Sequence, residues 1–361
     1  MNRFASLALA VLILAFFALP ALAGTKGDYK PEYKLSVVPG PTSGWGLSAT
    51  YFADLVAQRT EGRIVIKPYF GSQLLAGKQT SEFLMVRNGA IDFALASTIN
   101  WSPQVKELNL TALPFMLAAE PDRYKALDAI ETGASGKMMI EAIEGKGVKI
   151  IGWGENGFRE LTNSKRPVSA PEDMKDLKIR VVGSPIFIDT FRALGANPVN
   201  MNWAEATTGF QQGVVDGQEN PVNGICIPVK IWTYHTYLTD WNYIVDPLLL
   251  GVNPKVWSSF SPEDQQILLE CAQLAERYGK AIARVGMDNG ESLAYLQEIG
   301  MAPEVADPFA FLAEKGMTVI RLTPEQSKAF HDATAPVRAN WIPQIGEGLV
   351  QAAEADMASV R

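Results

Sequence analysis

Apolar and polar positions along this chain alternate between a two-residue and a three-to-four-residue period. Tyr33-Lys34-Leu35-Ser36-Val37-Val38 reads as a short strand that runs into a Pro/Gly turn between Pro39 and Gly46. Ser48 to Thr60 then places Ala49, Phe52, Ala53 and Val56 at helical spacing and stops before Glu61-Gly62. Arg63 to Tyr69 is the next strand, Lys78 to Arg87 a helix closed by Asn88-Gly89, and Ile91 to Ala96 a third strand. That alternation predicts an α/β fold with a parallel layer.

A second β-α register starts near Val148. Val148 to Trp153 and Lys178 to Val182 read as strands, and Ser184 to Leu194 as a helix ending before Gly195. Asn202-Trp203-Ala204-Glu205 has the spacing of a capping box and opens a helix that runs to Gln212. Val214-Val215-Asp216 then turns at Gly217. From Ser261 the pattern is mainly helical: Ser261 caps, Pro262 takes the first position, and Glu263 and Asp264 suit the positive helix end. The run to about Leu296 is too long for a simple crossover, so it spans both lobes or breaks between them. Thr323-Pro324-Glu325-Gln326 opens another helix in the same manner, and the likeness of Leu296–Met301 to Leu312–Met317 is a local echo, not a repeat.

A length of 361 residues suits two domains, and 47% hydrophobic with 20% charged residues describes a well-folded globular chain. The formal net charge of −7 argues against nucleic-acid binding and requires any anion site to be built from specific cations. Arg3, the apolar run Leu7 to Leu19 and Pro20-Ala21-Leu22-Ala23 before Gly24 read as a cleaved export signal over residues 1–23. The run is short for a membrane span, and removing it takes away Arg3 alone among charged residues, moving the net charge to −8. Cys226 and Cys271 form a disulfide or stay as two buried thiols; the spacing leaves both open. His235 and His331 stand apart without metal-ligand spacing, so no metal or cofactor is expected.

The candidate chemistry is anion capture. Arg159 and Arg180 each offer a planar fork that matches a carboxylate or sulfonate, and Arg180 sits at the C-terminal end of a predicted strand, where open α/β sheets present ligands. A surface salt bridge is the competing reading for either. Asn220, after Val215-Asp216-Gly217-Gln218-Glu219, holds a carboxylate or hydroxyl, or is a plain turn residue. Trp45, Trp101 and Trp203 stand at element junctions where cleft walls form, or simply pack. Gly-x-Ser-x-Gly, His-Glu-x-x-His and a P-loop are all missing from the sequence, so catalysis has no support.

From about Tyr33 to about Ile342 the chain resembles the DctP-type solute-binding proteins of TRAP (tripartite ATP-independent periplasmic) transporters. The resemblance rests on Glu61-Gly62-Arg63-Ile64-Val65-Ile66 with Gln73-Leu74, on Leu113-Pro114-Phe115, and on Arg159 with Thr162 to Val168. It continues through Pro171 to Arg180 and Val215 to Pro221. It implies two α/β lobes joined by crossing strands and a long helix towards the C-terminus, closing on a ligand by hinge motion. Lobe I is expected over 24–156 plus about 246–286, and lobe II over 157–245 plus about 287–361. It further implies that Arg180 pairs with the ligand carboxylate, Arg159 is a second cleft arginine, Asn220 contacts the ligand and Trp203 is an aromatic wall. Ser97, Thr98, Asn100 and Trp101, with Ser43 to Trp45, fall on first-lobe loops that shape selectivity.

Two departures stand out: Asp176 where many members have Gly, and a longer segment from Pro303 to Gly316. The expected function is a monomeric periplasmic receptor, not an enzyme, that delivers a small organic anion to membrane permease subunits. A C4-dicarboxylate or a two-carbon sulfonate such as isethionate is favoured. The alternatives are a ligand-binding partner of a membrane sensor kinase and a receptor for an aromatic or sugar acid.

Overall fold

The ten strands found in the computed structural model, which describes residues 29–361, join into one continuous sheet. The export signal read over residues 1–23 lies outside the described residues. In chain order the strands are β1 (Tyr33–Ser36), β2 (Ile66–Tyr69), β3 (Phe93–Ser97), β4 (Lys149–Asn163) and β5 (Lys178–Val181). They continue as β6 (Asn197–Asn200), β7 (Gly217–Pro221), β8 (Tyr237–Asp240), β9 (Val245–Val252) and β10 (Thr318–Arg321). The lateral order is β2-β1-β3-β9-β4-β7-β5-β6, with β8 also on β4 and β10 on β8. The pairings of β1 with β2 and β3, and of β5 with β6 and β7, are parallel, as the strand-helix alternation predicts.

β4 joins the two halves of the sheet. Its stretch from Lys149 to Phe158 pairs antiparallel with β9, and Arg159 to Asn163 pairs with β7. The change of partner coincides with an irregularity between Glu155 and Gly157, where Gly157 adopts φ +119°, a region that L side chains avoid. Only Val148 to Trp153 of this strand was readable from the sequence. Glu155, Asn156, Arg159, Glu160 and Asn163 interrupt the apolar pattern, yet all five are buried.

Helix boundaries follow their caps. The first helix spans Gly44–Arg59, four residues earlier than the apolar spacing indicates, because the Ser43 hydroxyl accepts the Gly46 N–H at 2.9 Å. The Lys78–Arg87 segment divides into a 3₁₀ turn, Gln79–Ser81, and a helix, Glu82–Arg87. The long helix is Pro262–Arg284, capped by Ser261, and it breaks before a separate helix Glu291–Glu298. The Thr323/Gln326 capping box forms as expected. That at Asn202 does not: no cap bond reaches the Asn202 side chain, and the Trp203 N–H donates to Gln79 Oε1 at 2.6 Å instead.

The helix Glu347–Ala358 packs against Arg123–Thr132 and Ala134–Glu144, where Asp356 accepts the Ala134 and Ser135 N–H groups. It thereby ties the end of the chain to residues read as first-lobe. Asp176 has φ +63° in the turn before β5, a left-handed conformation that favours glycine. The Pro303–Gly316 segment contains a short helix, Pro308–Glu314, capped by Asp307. Cys226 and Cys271 are both free and buried.

Glu82 lies wholly buried between Ser36, whose hydroxyl donates to Oε1 at 2.5 Å, and Trp101, whose indole N–H donates to Oε2 at 3.1 Å. Burial pushes its pKa up to about 8 against these two hydrogen bonds. A carboxyl raised above its unfolded value holds its proton more tightly in the native state. Its contribution to stability is therefore complete below the unfolded pKa and is lost as pH rises through about 8. Glu82→Gln is expected to flatten the decline of unfolding free energy between about pH 5 and about pH 8, read from urea titrations. An unchanged slope would assign the decline to other groups.

Candidate functional site

The carboxyl ends of β1, β3 and β5 converge on a cavity with about 340 Å³ of empty space, lined also by β4, β7 and the first turn of helix Gly44–Arg59. Parallel strands leave their C-terminal edges free for ligands, and the cavity uses that edge from both halves of the sheet. Gln79 bridges the halves: its Nε2 donates to Asn100 Oδ1 at 2.7 Å while its Oε1 takes the Trp203 N–H. Ser102 and Ser184 meet at 2.9 Å near the same junction. A larger open groove, with about 1370 Å³ of empty space and lined by Arg123, Trp241, Arg321 and Lys328 among others, contains none of the sequence-predicted site residues.

Arg180, on β5, is 2% exposed. Its Nε donates to the Met201 carbonyl at 3.0 Å, and its guanidinium carbon lies 5.4 Å from the Trp203 ring centroid. Its Nη2 is buried and has no hydrogen-bond partner. Burial lowers its pKa to about 10, the Arg159 charge adds to that fall and Glu219 opposes it, so the group stays cationic at neutral pH.

Arg159, on β4, is engaged throughout. Its Nη2 donates to Glu219 Oε1 at 2.8 Å and to the Glu219 carbonyl at 2.8 Å, its Nε to Glu219 Oε2, and its Nη1 to Asp246 Oδ2 at 3.0 Å. Burial opposes its charge, but the Glu219 and Asp246 carboxylates reverse that effect and raise its basicity. Tyr243 donates to Glu219 at 2.6 Å, and Ser97 and Asn156 donate to Asp246 at 2.5 and 2.8 Å. Burial raises the pKa of Asp246, with Arg159, Asn156 and Ser97 opposing. Arg159 is therefore the anchor of a buried ion cluster, and Arg180 is the guanidinium with an unfilled donor.

Of the nine sequence-predicted residues, Trp45, Ser97, Asn100, Arg159, Arg180, Trp203 and Asn220 line the cavity. Trp45 sits in the first helical turn with its indole N–H on the Leu95 carbonyl. Ser97 caps the short helix Thr98–Trp101 by accepting the Ile99 N–H at 3.1 Å. Thr98 and Trp101 do not line the cavity. Trp101 packs edge-on against Phe83 and bonds to Glu82, so it belongs to the core of the first half; the Thr98 hydroxyl is buried without a partner. Gln79, Asn156 and Asp246 line the cavity and were not anticipated. Asp246 had a legible signal: a lone acid heading the apolar run Pro247 to Leu250.

The geometry meets known proteins at this point. Residues 35–344 match the model of the DctP family, bacterial extracellular solute-binding protein family 7. The chain is similar to the crystal structure of a TRAP periplasmic solute-binding protein from Ralstonia eutropha H16 with bound (S)-2-acetolactate. Identity is 46% and the TM-score 0.83, covering 92% of this chain and 100% of that one. A TRAP periplasmic solute-binding protein from Polaromonas sp. JS666 bound to D-erythronate is similar at 26% identity and a TM-score of 0.78, covering 90% and 99%. The 2,3-diketo-L-gulonate-binding periplasmic protein YiaO of Escherichia coli K12 is 32% identical over 299 residues, 83% of this chain and 87% of that one.

Proposed function

The chain belongs to the DctP family, family 7 of the bacterial extracellular solute-binding proteins, and we propose that it closes over a compact hydroxy- or oxo-acid carrying one negative charge. Members of this family are receptors for small organic acids in TRAP transport, not enzymes, and work with membrane permease components. We propose such permease subunits as the partners to which this receptor delivers its ligand in the periplasm. Among the described residues no helix is long and apolar enough to cross a membrane.

The observation that carries the ligand reading is the unfilled donor of Arg180 beside a saturated Arg159. Both carboxylates of the cluster, Glu219 and Asp246, bond to Arg159, so an added carboxylate meets Arg180 as the guanidinium with an unfilled donor. A C4-dicarboxylate would bring its second charge into a cavity whose other ionic residues, Arg159 and Asp246, are already bonded to each other. Isethionate has one charge and one hydroxyl and suits the same cavity. The bound acid of the Ralstonia relative has one carboxylate, one hydroxyl and one ketone, which favours the same class. Trp45 and Trp203 narrow the cavity against bulky sugar acids. Gly157 and Asp246, where β4 and β9 pass between the halves, are the proposed lobe boundary.

A thermal-shift screen of residues 24–361 tests this reading with acetolactate, 2-hydroxy and 2-oxo acids, isethionate, succinate and galactonate. A ligand at about 1,000 times its Kd adds about 4 kcal/mol. The compact monoanions are expected to give the largest shifts. A larger shift with succinate would reject the single-charge reading.

A further inference from the structure

Asn220 is the cavity end of a hydrogen-bond chain that runs back into the sheet. Its Nδ2 meets Gln218 Oε1, Gln218 Nε2 lies 2.8 Å from Thr162 Oγ1, and Thr162 Oγ1 lies 2.9 Å from His235 Nδ1. All four side chains are buried. The chain stops at His235, whose Nε2 is buried without a partner and whose ring stands edge-on to Phe210 with centroids 5.1 Å apart.

Amides and imidazole can each exchange donor and acceptor faces, so the chain has two self-consistent directions. With the proton on His235 Nε2, Nδ1 accepts from the Thr162 hydroxyl, Thr162 accepts from Gln218, and Gln218 accepts from Asn220. The Asn220 carbonyl oxygen is then left for the cavity. With the proton on Nδ1 the two amides turn over, every link reverses, and Asn220 leaves an N–H for the cavity. Because Nε2 has no partner, moving the proton between the ring nitrogens breaks no other bond of the imidazole, and outside the chain it costs only the 3.6 Å contact from Gln218 Nε2 to Cys226 Sγ. Burial keeps the ring neutral in either case, pushing its pKa down to about 4 against the Asp216 charge.

We propose that His235 is a specificity-determining positioning residue: its tautomer sets whether Asn220 offers the ligand an acceptor or a donor, so one cavity takes 2-hydroxy acids and the matching 2-oxo acids. This inference rests on the reading of the cavity as an acid site. A ligand hydroxyl donates to the Asn220 carbonyl and holds the His235 proton on Nε2. A ketone accepts from the Asn220 N–H and holds it on Nδ1.

The chain has two histidines, so imidazole ¹⁵N NMR, assigned with His331→Gln, reads the His235 tautomer directly. The probes are 2-hydroxybutanoate and 2-oxobutanoate, with affinities from calorimetry. Both are expected to bind, with Nε2 protonated in the first complex and Nδ1 in the second. His235→Phe keeps the ring packing and removes both nitrogens; it is expected to change the ratio of the two affinities by about tenfold. One tautomer in both complexes, or an unchanged ratio in a folded His235→Phe, overturns the role of His235 and leaves the acid site standing. Failure of both acids to bind the unsubstituted protein overturns both readings. Should His235→Phe not fold, the two tautomers decide the matter alone.

Discussion

Arg180→Met abolishes the stabilisation conferred by a bound acid while leaving the unliganded protein as stable as before, or more so. The two effects have one cause. The guanidinium is buried with Nη2 unpaired, so the empty site carries part of a desolvation cost that a carboxylate would relieve. Methionine has similar length and no charge, and it loses the bond from Nε to the Met201 carbonyl and the cationic approach to the Trp203 ring. Removing that cost against about 1 kcal/mol for the lost hydrogen bond leaves the apo protein roughly unchanged or stabilised by about 2 kcal/mol. Binding suffers by contrast, because the ligand carboxylate enters a dry site with no cation to meet it. Losing one member of a desolvated charge pair costs about 2–5 kcal/mol, so affinity should fall by roughly two to three orders of magnitude. Calorimetry with acetolactate, together with urea unfolding of the apo variant, measures both arms. An Arg180→Met protein that still binds tightly would move the anion site elsewhere.

Arg159→Met should behave in the opposite way and unfold the protein readily. The substitution leaves Glu219 and Asp246 buried near one another with no cation between them. Breaking a buried pair from one side costs about 3–5 kcal/mol, a large share of the stability of an ordinary domain. The additional change Glu219→Gln should recover part of that loss, since it removes one of the stranded charges. Urea midpoints of the single and double variants provide the reading. If Arg159→Met were to lose the ligand while keeping wild-type stability, Arg159 would be a ligand contact and not the anchor of the cluster.

The contrast between these arginines marks how much of the site was legible in the sequence. Both stand in the segments that carry the family pattern, and both reach the cavity. What separates them is Glu219, paired antiparallel to Leu161 on the neighbouring strand, and Asp246 on β9. No local spacing announces either partner: Glu219 is 60 and Asp246 87 positions from Arg159. Trp101 illustrates the reverse case. Its place beyond a strand end suits a cleft wall, yet Phe83 and Glu82 draw it into the core. The missed half of β4 has the same origin, since its polar residues read as a loop until their partners across the sheet are known.

Local chemistry was enough to specify the alternating α/β layers, the caps at Ser261 and Thr323, and a family pattern ending in Asn220-Pro221. These depend on residues within a few positions of one another, where steric and hydrogen-bond preferences act directly. Tertiary structure alone decided that Arg159 is neutralised, that Arg180 keeps an open donor, and that Asn220 is wired to His235. Charge and hydrogen-bond satisfaction are set by whatever the fold brings within about 3 Å, and that distance carries no trace in the order of residues along the chain.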